Sequence, residues 1–91
     1  MIKNDVFVFI TETIKYIKQT EDVSFIVGET LVADLCFDEI DMTHLIIECE
    51  EKFNILIDDS HIMSLKMVND VVNYVYMEAL TANQESLHDI S

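Results

Sequence analysis

Apolar residues recur at three- and four-residue spacing in three stretches of this chain, and a long stretch between the first two keeps no period at all. Ile2, Val6, Phe9, Ile10, Ile14 and Ile17 put one apolar stripe on a helix over roughly the first 19 residues. Lys15 and Lys18 fall near its end, where cations suit the helix dipole. Thr20 to Phe37 is aperiodic, with Val23, Phe25, Ile26, Leu31 and Leu35 spread along it and the only glycine, Gly28, inside it. A connection that long in so small a domain must pack its own apolar residues on the core. Ile40, Leu45, Ile46, Cys49 and Phe53 supply a second buried stripe, with Thr43 filling a tight place. Asp38 suits the N-cap of that helix, Asp41 its first turn and Asn54 its C-terminal end. Ile55-Leu56-Ile57 is a short apolar connector, and Asp58 or Asp59 caps a brief helical turn around Ser60 to Met63. The final helix starts near Met67, with Val68, Val71, Val72, Val75 and either Met77 or Leu80 on its apolar face. Its β-branched residues lower intrinsic helix propensity, so packing must hold it. The sequence contains no proline. The order of elements predicts an all-α four-helix bundle over residues 1–80, with a long loop after the first helix and a short third helix. Residues 81–91 read as a frayed polar tail.

Ninety-one residues suffice for one small domain, and an apolar fraction of 51% is ample for a packed core. No apolar run approaches the ~18 residues of a membrane span. Val6 to Ile10 is a poor secretion signal, so the expected location is the cytoplasm. Eighteen acids stand against five Lys and Arg residues, a formal charge of −13. That field repels nucleic acid and steers in basic protein partners. The expected state is a monomer.

Cys36 and Cys49 do not make a disulfide framework. Cys49 sits at helical spacing among apolar residues and reads as a small core residue, while Cys36 lies in the loop. Asp34, Asp38 and Asp41 do not fit a calcium loop, because Glu39 stands at the place of the central glycine and Leu45 at that of the terminal glutamate. Asp58, Asp59 and His61 fix no metal geometry. No metal site is expected. The chain has no glycine-rich phosphate loop and no nucleophile–base arrangement, so no catalytic residue is expected and the protein is read as a non-enzyme.

The run Asp34-Leu35-Cys36-Phe37-Asp38-Glu39-Ile40-Asp41, continuing to Glu50-Glu51-Lys52-Phe53, resembles the opening of the second helix of acyl carrier proteins. Phe53-Asn54-Ile55-Leu56-Ile57 is similar to the family's Phe-x-Ile-x-Ile segment, and Met67-Val68-Asn69-Asp70-Val71 to the start of its last helix. The resemblance covers nearly the whole chain and implies the same four-helix fold. It also implies a site. In the family, Asp-Ser-Leu opens the second helix and the serine carries phosphopantetheine. Here the matching residues are Asp38, Glu39 and Ile40, so no phosphopantetheine is expected at Glu39. Cys36 stands where the family commonly has glycine and Phe37 where a small residue is usual, and both are expected to crowd the mouth of the site. Ser24, Ser60 and Thr43 are not convincing substitutes for the missing hydroxyl. Glu39 is either a charge that imitates the phosphate or, more simply, an acid that suits a first turn.

The resemblance further implies a docking face for basic partner enzymes of fatty-acid, polyketide or lipid-type biosynthesis. Asp38, Asp41, Glu48 and Glu51 share one side of the second helix, with Met42 and Ile47 as apolar contacts. By spacing alone Ile47 borders the core stripe, and burial there is the competing reading. His44 reads as a surface residue. Two alternatives stay open: a true carrier whose attachment serine is substituted in this chain, and an unrelated acidic helical interaction module.

Overall fold

Local chemistry sets where the helices begin and end. The computed structural model describes residues 2–20, 26–62 and 64–90, with backbone alone for 59 and 83–90. Helix α1 spans Lys3–Lys18, α2 Glu39–Phe53, α3 Asp59–Ile62 and α4 Val68–Ile90, and a 3₁₀ turn covers Val32–Leu35. Gln19, Cys36 and Asn54 close α1, the 3₁₀ turn and α2 in the left-handed region, with φ of 52°, 58° and 55°. At Asn54 this geometry lets the amide donate back to the Glu50 carbonyl and end the helix. The α2 start is fixed by a reciprocal box. Asp38 Oδ1 accepts from the Asp41 amide at 2.8 Å, and Asp41 Oδ2 accepts from the Asp38 amide at 3.4 Å. Asp58 caps α3, its Oδ1 accepting from the Ser60 amide at 2.9 Å. Hydrogen bonds from Ser60, backbone first and then side chain, hold the Asp58 carboxyl below its ordinary range.

The core is one cluster drawn from every long element. Val6, Ile10 and Ile14 of α1 meet Leu45, Ile46 and Cys49 of α2 and Val68, Val71, Val72, Val75 and Ala79 of α4. Phe9 and Phe53 pack edge to face across α1 and α2, with ring centroids 5.4 Å apart. Thr13 is buried but satisfied, its hydroxyl donating to the Phe9 carbonyl at 2.8 Å. Of the loop's described apolar residues, Ile26 and Leu35 are buried in the core as expected, while Leu31 is exposed. The loop is also tied to the start of α4. The Val32 amide donates to Lys66 O, Val68 to Thr30 O and Asn69 to Gly28 O, each at 2.8 Å. A Cβ at Gly28 would meet the end of the Asn69 side chain, which would have to shift to admit it.

Three expected core residues lie on the surface instead. Ile2 precedes α1 and is exposed, while Ile40 and Thr43 are exposed on α2. The buried stripe of α2 runs through Met42, Leu45, Ile46, Cys49 and Phe53, a regular helical face that skips Ile40. Ala79, rather than Met77 or Leu80, continues the buried face of α4. Helix α4 runs past the boundary expected at residue 80 and through 81–90, which the sequence assigns to a tail. Val23, Ser24, Phe25 and Met63 lie outside the described residues. Among the described residues, no helix is long and apolar enough to cross a membrane.

Candidate functional site

Residue 39 is the first position of α2, directly after the Asp38 cap. The box formed by Asp38 and Asp41 orients this helix tip, and Glu39 is exposed on it. Negative charge at a helix N-terminus is favourable, which accounts for an acid being tolerated there. Glu39 has no ionic partner among the described residues. Its side chain offers a carboxylate and no hydroxyl.

A shallow surface depression runs along α2 from this tip, lined by Glu39, Ile40, Thr43, His44 and Ile47. Ile40 is 78% exposed and Ile47 45%. The two share a side because seven residues at about 100° each bring the helix back to within about 20°. Ile40 is therefore outside the core stripe expected to include it, and its seven-residue spacing from Ile47 is the signal for this side. Met42 points the other way and packs partly buried against the core. Burial of Ile47, the competing reading, is not what the structure has.

The acids of α2 differ in what they touch. Asp38 and Asp41 are committed to the cap. Asp41 also meets Lys18, whose Nζ lies 3.4 Å from its Oδ2. Glu48 pairs with His44, Nε2 to Oε1 at 3.5 Å, and the His44 ring meets Tyr16 of α1 edge-on with centroids 6.1 Å apart. Glu51 is exposed. Glu50 turns inward to accept the Ile57 amide at 2.9 Å, so it helps build the α2–α3 connection.

Phe37 is half-buried against the core, with its ring 5.8 Å from Lys18 Nζ. Cys36 is exposed and left-handed, which gives a physical reason for a glycine at that place. Cys49 is buried, and burial pushes its thiol up to about 12, with Glu48 and Glu50 adding to the effect. Of the hydroxyls weighed as substitutes, Thr43 is exposed within the depression and Ser60 is exposed on α3. Among the described residues, no group of three or more His, Cys, Asp or Glu is placed to hold a metal ion.

The arrangement of helices is that of a carrier-protein bundle. It matches the crystal structure of an acyl carrier protein from Thermotoga maritima with a TM-score of 0.72, at 22% identity, over 98% of this chain and 94% of that one. No family model matches the chain. An acyl carrier protein of Exiguobacterium sibiricum is 31% identical over 75 residues, which span 82% of this chain and 95% of that protein. Shorter matches are acyl carrier proteins of Kocuria rhizophila at 36% over 47 residues and Campylobacter jejuni at 44% over 45, each covering 58% of the relative. The chain therefore belongs to the acyl carrier protein family.

Proposed function

We propose that this family member is recognised by biosynthetic enzymes but does not carry phosphopantetheine at residue 39. One observation supports the reading above the rest: the exposed residue that opens α2 is Glu39. Attachment of the arm needs a hydroxyl oxygen that attacks the phosphorus on the pantetheine side of coenzyme A, breaks the pyrophosphate bond, releases adenosine 3′,5′-bisphosphate and stays bound as a phosphodiester. A carboxylate cannot make that linkage, so the group does not fit this site. Thr43 lies one helical turn away, and Ser60 belongs to another helix.

What remains is a surface. The docking face comprises Asp38, Asp41, Glu48 and Glu51 around Ile47, and Ile40 takes the apolar role first given to Met42. Its partners are basic surfaces of enzymes of fatty-acid, polyketide or lipid-type biosynthesis. The protein would act in the cytoplasm as a monomer, and it would itself catalyse nothing. The charge of −13 favours such encounters through long-range steering. A true carrier with its serine substituted in this chain is the competing reading, favoured by similarity along 95% of the Exiguobacterium protein. A serine codon at position 39 of the gene would support it.

The test is incubation with coenzyme A and a permissive phosphopantetheinyl transferase, read by intact mass. The native chain is expected to keep its mass. Glu39→Ser is expected to gain one phosphopantetheine, since it restores a hydroxyl at the exposed first position of α2. A gain by the native chain would overturn the proposal.

A further inference from the structure

Lys18 is the last residue of α1, and its ammonium reaches across to the segment that leads into α2. Nζ donates to the Cys36 carbonyl at 3.1 Å and to Asp41 Oδ2 at 3.4 Å, and it lies 5.8 Å from the centre of the Phe37 ring. All three partners stand within six positions of one another in the chain. Asp41 sits on the acidic side of α2, so one of the few cations in a chain of charge −13 is spent on a carboxylate of the proposed docking face. The other acids there differ. Among the described residues, Glu39 and Glu51 have no ionic partner, and Glu48 meets the half-buried His44.

We propose that Lys18 is an internal competitor for the docking face: it holds Asp41 from within the molecule, and a basic partner gains that carboxylate only by displacing it. The inference rests on the docking reading above. A cation arriving at Asp41 meets a site already neutralised, so encounter is driven by Glu39, Glu48 and Glu51. Displacement of Lys18 also frees the Cys36 carbonyl and uncovers Phe37 at the junction beside residue 39. Engagement of Asp41 is thereby coupled to loosening of the contact between the end of α1 and the start of α2. The pair is partly solvated, so the competition is modest in size and sensitive to salt.

The experiment uses a fluorescently labelled amphipathic helical peptide of leucine and lysine as the basic probe, titrated with the full chain at low salt. Lys18→Met keeps the apolar stem, and Lys66→Met removes one exposed positive charge outside the α1–α2 junction, as a control for net charge. Lys18→Met is expected to bind about two- to fivefold tighter than Lys66→Met, the scale of one exposed ion pair. Asp41→Asn should barely change binding of the native chain and should abolish the gain in Lys18→Met. That second comparison holds even if Lys18→Met loosens the bundle, because Asp41→Asn alone tests whether the carboxylate is already occupied. Equal binding by the two lysine variants overturns the competitor and leaves docking intact. So does an Asp41→Asn loss as large in the native chain as in Lys18→Met. No binding by any variant removes the docking face and the competitor with it.

Discussion

Cys36 holds a left-handed backbone, φ 58° and ψ 35°, that costs a side chain with a Cβ free energy. Its side chain is exposed and has little packing to lose. Cys36→Gly is therefore expected to stabilise the fold by about 0.5–1 kcal/mol, after the greater unfolded-state freedom of glycine is set against the relief. Urea unfolding checks it, and a lower midpoint would contradict the strain assigned here. Cys49 is the opposite case. Its folded pKa of about 12 lies above the ordinary 9.0, so the folded state keeps its proton where the unfolded chain gives it up. The resulting stability is fully present below pH 9.0 and is lost as pH rises toward about 12. Cys49→Ala should flatten this alkaline decline in unfolding midpoint. If both chains fall equally steeply, the burial assigned to the thiol is wrong.

At the scale of elements, the faces of α2 decide the account. Leu45 is buried between α1 and α4, whereas Ile40 stands in solvent. Leu45→Ala is expected to cost about 2–5 kcal/mol, and Ile40→Ala no more than about 0.5 kcal/mol. Comparable losses would return Ile40 to the core. Most of this architecture is legible in the sequence, because a 3.6-residue period and two acids at a helix start leave little choice. Ile40 departs from the expected stripe for a physical reason: an isoleucine at a helix tip has few neighbours to pack on, and Met42 takes the place on the core side. The ties of the loop to α4 and of Lys18 to Cys36 and Asp41 join residues far apart in the chain. Such contacts depend on how helices stack and leave no local pattern to read.

Across the whole molecule, 18 acids and five Lys and Arg residues must share one small bundle. Repulsion among them opposes compaction, and salt shortens its reach from about 30 Å at 0.01 M to about 8 Å at 0.15 M. The urea midpoint should accordingly rise with sodium chloride over that range, and a flat response would show that the charges are already locally balanced. The same surface is what a basic enzyme would meet, and residue 39 decides whether such a meeting moves cargo. The acidity of the Glu39 position and the family's fold are both legible in the sequence, while the exposure of the helix tip came from the structure. The most direct measurement is the intact mass of the chain purified from the cell that makes it. A mass equal to that of the unmodified polypeptide is the predicted result. Pantetheine bound covalently to any residue would contradict the central claim.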